Sequence, residues 1–380
     1  MSARIPLVFL AIVLFVGLSR SPGIALDAPG PRKDDVKAPE PKQFTLQADK
    51  VMLSQAIEEL TRQTGIHVKD VRGVPDAAIR LDLKKATFWQ ALDAIAAAGD
   101  ARIRLYPTSG RIVLDKRGAS YRQPPISYDG RFRLSLTKMT AVRDLEIRET
   151  DPDHAAYTAA IEVAWDPELQ PLFLETRPHG VRLVDDKKHV ITVSEEGSSL
   201  APVDGLIALG IEVRLPALTR SVAQINTLEG ELSMIGPSKM LAFTFESLDM
   251  LAQRSSNDPE RKQVQEGVTC HIRKVILDRQ RWTIQVVLDY PPGMKQLDSN
   301  QSWVVNNQMT LVSCDGKKRF ASSEYALEMA TAQHAILSYH FRDKGGMVRG
   351  KAGDWTLRYR TPANLIEMPI KFAFKDIPLP

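Results

Sequence analysis

The sequence predicts a small α+β module followed by two immunoglobulin-like antiparallel β-sandwiches that are related by internal duplication. Helical periodicity is confined to residues 43–117, whereas alternation of apolar and polar residues dominates the rest of the chain. The run from Tyr157 to Pro167 also returns 125 positions later, as the run from Trp282 to Pro292. Alternation with a period of two is typical of strands, and a strand pattern that occurs twice indicates two β units.

Residues 1–25 have the layout of a secretory signal peptide. Arg4 supplies a positive start, Leu7 to Leu18 is an apolar run of 12 residues, and Gly23 and Ala25 offer a cleavage site. A helix that spans a membrane needs about 20 apolar residues, so this run is short. We expect export to the periplasm or out of the cell, with an uncleaved N-terminal anchor as the alternative. We expect no transmembrane segment in the mature chain.

Residues 26–42 are expected to form a disordered linker, because they combine prolines with many charges and few apolar side chains. The whole chain has 50 basic and 46 acidic residues and a formal net charge of +4. The basic residues are scattered, with no run of five. This composition gives no reason to expect nucleic acid as a partner.

Residues 43–117 predict the order β-α-β, β-α-β-β. Two helices are indicated by apolar residues at helical spacing, 35 positions apart: Leu53, Ala56, Ile57 and Leu60, then Phe88, Ala91, Leu92 and Ile95. Thr87 is placed to cap the second helix, and Gly65 and Gly99 are expected to end the helices in the left-handed conformation. Alternating runs that predict strands surround them: 44–46, 66–68, 79–83, 102–106 and 111–114.

This module resembles the secretin and TonB short N-terminal domain. The resemblance lies in the strand Phe44-Thr45-Leu46, a helix that stops at Gly65, and a second helix that follows Thr87. It implies that the module docks another protein of the cell envelope. The remaining chain is too short for a receptor barrel of about 22 strands or for a secretin channel, so only docking is carried over. Strand addition at Phe44, Thr45 and Leu46 is the expected mode.

Residues 131–250 are predicted as sandwich repeat 1 and residues 268–380 as repeat 2. Each has about seven short alternating runs with polar turns between them. A second correspondence links the run from Phe243 to Leu248 with the run from Phe372 to Ile377, 129 positions later. The polar residues 251–267 between the repeats are predicted to be a flexible linker.

The chain has two cysteines, Cys270 and Cys314, and both lie in repeat 2. In an oxidising compartment they could close a disulfide across the segment between them, and two free thiols are the alternative.

Aromatic residues raise a choice between ligand binding and packing. Trp165 and Tyr290 occupy matching strand ends. They could form an aromatic platform for a sugar, or they could be packed as a plug at the rim of each sandwich. Their repetition in both units favours packing. Trp303 has no counterpart in repeat 1 and is the candidate ligand contact, for a glycan.

No catalytic, cofactor-binding or metal-ligating residue is assigned, because the seven histidines form none of the metal-ligand spacings. The favoured hypothesis is a non-catalytic exported binding and scaffolding protein. Its module would dock an envelope protein, and its sandwiches would space or present that module. The alternative is a binder of carbohydrate or surface polymer through loop aromatics such as Trp303. A third hypothesis is an enzyme whose site is assembled from scattered residues.

Overall fold

The computed structural model describes residues 40–380, apart from 107–108, 144–145, 147–154, 194–198, 204, 217, 219–221, 279–280, 292–306, 332, 343–350 and 364. The predicted signal peptide and most of the predicted linker lie outside the described residues. The described part is mostly strand, arranged in several sheets. None of its helices combines the length and the apolar character that crossing a membrane requires.

The N-terminal module has the predicted order of elements. Its elements are β1 (Gln43–Met52), α1 (Leu53–Thr64), β2 (Val68–Asp70), β3 (Ala78–Thr87), α2 (Phe88–Ala98), β4 (Ala101–Tyr106) and β5 (Arg111–Lys116). Strand β1 pairs antiparallel with β3, while β5 pairs parallel with β2 and antiparallel with β4. Both helices bury the faces that the periodicity predicted, so the sequence pattern identified them correctly.

The two helices end differently, although a left-handed glycine was expected at each end. Gly65 does take the left-handed conformation, with φ of 77°. Gly99 has φ of −92°, so the expectation for it was wrong. A Cβ at Gly99 would lie 2.1 Å from Cδ1 of Leu53, so glycine is needed there for space.

The next strands form two sheets that share a core; we call them the first sheet pair. They are β6 (Ile126–Asp129), β7 (Phe132–Arg143), β8 (Ala155–Trp165), β9 (Phe173–Glu175), β10 (His179–Asp185), β11 (Val190–Thr192), β12 (Leu200–Pro202), β13 (Ala208–Pro216) and β14 (Gln224–Pro237). One sheet has the order β13-β8-β7-β6 and the other β11-β10-β14-β9-β12. Leu134 and Ile161 from one sheet and Leu183 and Leu228 from the other lie in one buried cluster.

The second sheet pair follows the same plan. Its elements are β15 (Met240–Phe245), α3 (Leu248–Gln253), β16 (Lys262–Gln265), β17 (Val268–Leu277), β18 (Trp282–Asp289), β19 (Gln308–Ser313), β20 (Arg319–Ala321), β21 (Glu324–Ala330), β22 (His334–Phe341) and β23 (Trp355–Pro362). The sheets are β15-β23-β19-β20 and β16-β17-β18-β22-β21, and both line one core. The immunoglobulin-like topology and the duplication stay predictions.

The last strand, β24 (Leu365–Pro378), returns to the first sheet pair and lies beside β14. With β15 and β23 it completes one antiparallel ladder through both sheet pairs. Its register is defined by the Cα pairs Gln224–Pro378, Pro237–Leu365, Met240–Pro362 and Phe245–Leu357. In each of these pairs the two residue numbers add up to the same value. The register is therefore continuous from the first sheet pair to the second, with no residue inserted between them.

This ladder crosses the predicted repeat boundaries. β15 lies within 131–250 but pairs with β23, and β24 lies within 268–380 but pairs with β14. The boundaries drawn from the sequence are therefore not boundaries between sheets. Alternation along a strand indicates which side chains are buried, but it does not specify the partner strand.

Residues 251–267 do not form the flexible linker that their polarity suggested. They contain the end of α3, a 3-10 turn at Pro259–Arg261 and strand β16. Arg261 is buried, and its guanidinium donates to the carbonyl oxygens of Leu251, Ile272 and Arg273. A buried cation that satisfies three carbonyl groups anchors this segment to the second sheet pair.

Candidate functional site

The predicted docking strand, Phe44 to Leu46, lies in β1. Phe44 is fully buried in the core of the module, Thr45 is exposed and Leu46 is half-buried. Only the backbone edge and the exposed side chains of this strand can therefore meet a partner.

The backbone edge of β1 is already occupied at Thr45. The Thr45 N–H donates to Oε1 of Gln63 at 3.0 Å, and Nε2 of Gln63 donates to the Thr45 carbonyl oxygen at 3.0 Å. The carboxamide of Gln63 thus takes the place that a neighbouring strand would take. Strand addition must begin beyond Thr45 or displace Gln63. No sequence pattern indicates this contact, because Gln63 is one of several polar residues of α1.

Gln63 is held by other side chains of α1. Its Nε2 also donates to Oε1 of Glu59 at 2.5 Å, and Glu59 pairs with the guanidinium of Arg62. Hydrogen bonds from Arg62 and then from Gln63 lower the pKa of Glu59 to about 2. Glu59 therefore stays ionised and holds the Gln63 carboxamide in place at any ordinary pH.

Beyond Thr45, polar side chains cover the exposed surface of β1. Gln47 donates to Oδ1 of Asp82 on β3, and Asp49 pairs with Arg80 at 3.2 Å. These cross-strand pairs leave the exposed part of β1 hydrophilic, with amide and charged groups of both signs. Such a surface suits a partner that is recognised through hydrogen bonds and ion pairs.

The module is fixed to the first sheet pair by a buried ionic contact. The carboxylate of Asp93 on α2 accepts from Nε of Arg133 at 2.7 Å and from its Nη2 at 3.0 Å. It also accepts from the hydroxyl of Tyr128 at 2.7 Å. Burial, with the nearby Asp93 charge, raises the pKa of Tyr128 well above its usual value, so Tyr128 remains a donor. We call Asp93, Tyr128 and Arg133 the anchor.

A second ionic contact lies near the end of α1. Nε of Arg131 donates to Oδ2 of Asp166 at 2.9 Å, and Lys42 joins the Thr64 carbonyl oxygen to Oε1 of Glu168. Burial is the main cause that raises the pKa of Asp166 to about 6. Its Oδ1 is buried without a hydrogen-bond partner among the described residues.

Apolar contacts accompany these ion pairs. Ala164, Ile207 and Ala208 of the first sheet pair lie within the hydrophobic cluster of the module, with Tyr128 packed against it. The module and the first sheet pair therefore share buried surface, which ties their orientation together.

A cleft with a volume of about 230 Å³ opens where the module meets both sheet pairs. Gly110 of the module lines it, together with Gln170 and Leu206 of the first sheet pair and Met240 and Gln308 of the second. Its described lining residues include amide side chains but no ionisable group. The amide side chains of the described lining can hydrogen-bond a neutral polar group.

The aromatic residues that the sequence singled out differ in their surroundings. Trp165 is buried and donates from Nε1 to the Leu206 carbonyl oxygen at 3.2 Å, and Tyr290 is buried with its hydroxyl 2.7 Å from Oγ1 of Thr361. Both are packed rim residues, so the aromatic-platform interpretation was wrong. Trp303 lies outside the described residues. Neither Trp165 nor Tyr290 lies at the docking strand.

Cys270 and Cys314 are not bonded to each other: Cys270 is buried in the second core and Cys314 is exposed. The two free thiols that the sequence left as the alternative are what the structure contains. Burial raises the pKa of Cys270 well above its usual value, so its reactive thiolate form is disfavoured.

Within the described residues, no group of three or more histidine, cysteine, aspartate or glutamate side chains is arranged to hold a metal ion. No protein-family model and no curated protein matches the chain. One solved structure is similar at low level, an atomic model of the Salmonella SPI-1 type III secretion injectisome basal body proteins InvG, PrgH and PrgK. The identity is 8%, the TM-score is 0.17, and the match covers 86% of this chain and 91% of that chain.

Proposed function

We propose that this chain is an exported, non-catalytic binding and scaffolding protein. Its N-terminal module docks a protein of the cell envelope, and the two sheet pairs hold and present that module. The signal-peptide pattern of residues 1–25 supports export. The resemblance of the module to the secretin and TonB short N-terminal domain supports docking, and the order of its elements is in keeping with that resemblance.

The observation that carries the proposal is the anchor. Asp93 joins α2 to the first sheet pair through two buried hydrogen bonds from Arg133 and a partly buried one from Tyr128. A module held in this way offers its partner a surface whose orientation is already set. Binding then loses less conformational freedom than docking by a module on a free tether.

We also propose that the two sheet pairs arose by duplication and exchanged their last strands. Under the predicted correspondence, Phe243 and Phe245 match Phe372 and Phe374. Phe243 and Phe245 lie in the second core, whereas Phe372 and Phe374 lie in the first. Such an exchange links the two sheet pairs by two strands instead of one, which favours a stiff spacer.

Photo-crosslinking in living cells tests the docking function. A photoreactive residue at the exposed Thr45 should give one dominant adduct with an envelope protein, identified by mass spectrometry. The same residue at the exposed Val190 of β11 serves as the control and should not give that adduct. No protein adduct from Thr45, in a chain shown to be exported and folded, would contradict docking; binding to a glycan array would then support the alternative function.

A further inference from the structure

Polar side chains close the outer edges of sheets at separate places in this molecule. In each case a side chain hydrogen-bonds the backbone of an edge strand, where another strand could otherwise add. The bonds beyond those of Gln63 join Gln263 to Thr244, Gln265 to Ala242, Asp129 to Lys371 and Ser127 to Ala373. Closing an edge in this way prevents pairing with another chain.

Strand β21 is left open. Among the described strands it pairs only with β22, and its outer edge receives no side-chain hydrogen bond from the described residues. Tyr325, Leu327 and Met329 are 50%, 38% and 43% exposed. An edge strand that exposes large apolar side chains is a site of association with another chain.

The side chains of β21 are sorted by face as far as Leu327, after which a β-bulge sets Met329 opposite Ile336. Tyr325 and Leu327 lie opposite Tyr339 and Leu337, which are buried core residues, so the apolar pair extends the core side of the sheet. Glu328 lies on the outer side, where it accepts from Ser338 and Gln285. Hydrogen bonds from Ser338 and Gln285, with the nearby charges of Arg273 and Lys274, lower the pKa of Glu328, so its carboxylate stays ionised. With Glu324 it places two carboxylates on the outer side of β21.

Strand β4 of the module has the complementary pattern. Among the described strands it pairs only with β5, and the half-buried Ile103 and Leu105 pack against the core of the module. Arg102 and Arg104 lie on the other side and share a single carboxylate, that of Asp115, at 3.0 Å and 2.6 Å. Two guanidinium groups on one carboxylate leave an excess positive charge on this strand.

We propose that β21 of one copy adds antiparallel to β4 of a second copy. One register sets Tyr325 opposite Leu105 and Leu327 opposite Ile103, with apolar side chains on the core side of both sheets. The same count sets Glu328, at the β-bulge of β21, opposite Arg102, so opposite charges of the two strands meet on the outer side. Arg104 then lies opposite Ala326, between the two glutamates of β21.

Charge also decides against pairing of β21 with itself. Two copies of β21 that stack Tyr325 on Leu327 would set Glu324 opposite Glu328 at both ends. Like charges directly opposite each other destabilise an antiparallel pair.

Because β4 and β21 are different surfaces of one chain, their contact is head-to-tail and leads to a closed ring or an open filament. This self-association goes beyond the proposed function, which concerns a different protein as partner.

Sedimentation velocity on the full exported chain tests the proposal with two blocking variants. Leu327→Lys should raise the dissociation constant for self-association about tenfold or more, because its ammonium group would be buried without a partner against Ile103. Arg104→Glu should do the same by placing a carboxylate between Glu324 and Glu328. Both side chains are partly exposed, so circular dichroism should show an unchanged fold. Val190→Lys, on the edge strand β11, is the matched control and should associate like the wild type.

A mixture of the two blocked variants gives the decisive result. Leu327→Lys keeps an intact β4 and Arg104→Glu keeps an intact β21, so the mixture should form a 1:1 dimer that neither variant forms alone. A wild-type chain that stays monomeric at its highest soluble concentration would overturn the proposal. Self-association of Arg104→Glu at wild-type strength would also overturn it and would assign the contact to β21 alone. Loss of association in Val190→Lys would show a general effect of added charge and would equally overturn it.

Discussion

Replacing Asp93 by alanine should weaken the attachment of the module to the first sheet pair. The change removes three hydrogen bonds to one carboxylate, two from Arg133 and one from the Tyr128 hydroxyl. It leaves a buried guanidinium whose remaining contacts are Oγ of Ser135 at 3.4 Å and Oε1 of Glu162 at 4.0 Å. Breaking a buried ion pair from one side costs about 3–5 kcal/mol. Because Glu162 lies close enough to offset part of the charge, we expect a loss of about 3 kcal/mol in the free energy of unfolding.

Urea unfolding followed by tryptophan fluorescence measures this loss. Trp89 reports on the module and Trp165 on the first sheet pair, and both are buried. Asp49→Asn is the matched control, because the Asp49–Arg80 pair is 91% and 78% exposed and should leave the free energy of unfolding unchanged within error. The double variant Asp93→Leu/Arg133→Met should recover most of the loss, since both charges of the buried pair are then removed. A loss below about 0.5 kcal/mol for Asp93→Ala, the range of exposed pairs, would refute the anchor.

Three further predictions concern the ladder, Asp166 and Gly99. Ending the chain after Pro362 removes β24. Hydrogen exchange should then become faster in β14 and β10 of the first sheet pair and stay slow in β17 and β18 of the second. Uniform loss of protection would contradict the assignment of β24 to the first sheet pair. The folded-state pKa of Asp166, about 6, lies above its ordinary value of 3.8, so the folded chain binds this proton more tightly than the unfolded chain. The stability of the wild type relative to Asp166→Asn should therefore rise as the pH falls from about 7 to about 4 in urea titrations, and a fall would contradict burial as the cause. Gly99→Ala should lower the free energy of unfolding by about 1–3 kcal/mol, because its Cβ would meet Leu53. Gly118→Ala, with open space around it and no left-handed backbone, is the control for close contact. Equal losses for the two alanine variants would show that contact with Leu53 is not the cause.

The module was the part of the fold that the sequence predicted best. Its helices carry apolar residues at helical spacing, and local features such as the Thr87 cap are visible in a short window. The prediction of a left-handed helix end at Gly99 was wrong. Glycine is needed there because the side chain of Leu53, 46 positions away, leaves no space for a Cβ. Local sequence patterns do not contain that contact.

The arrangement of the sheets was harder to predict. The alternation in β15 and β24 identified both as strands, but their pairing across the molecule depends on contacts between distant segments. Residues 251–267 were misread because composition alone treats Arg261 as a solvated charge, whereas its guanidinium is buried on carbonyl oxygens.

The anchor was missed for a related reason, although the sequence carried one signal for it. Asp93 is the one acid of α2, in a helix that is apolar on nearly every side. A helix of that kind is buried all round, so its single carboxylate must find a partner. The partner, Arg133, is 40 residues away on β7, and the sequence does not identify it.

The most direct test of the docking function is a photo-crosslinking scan along the module in living cells. Photoreactive residues at Thr45, Gln47 and Asp49 sample the exposed side of β1, and Lys69 on β2 samples a different strand of the module. Docking through β1 predicts one envelope protein whose crosslinking yield is high at the three β1 positions and low at Lys69. Equal yields at all four positions, or adducts with no common protein, would contradict docking through this strand.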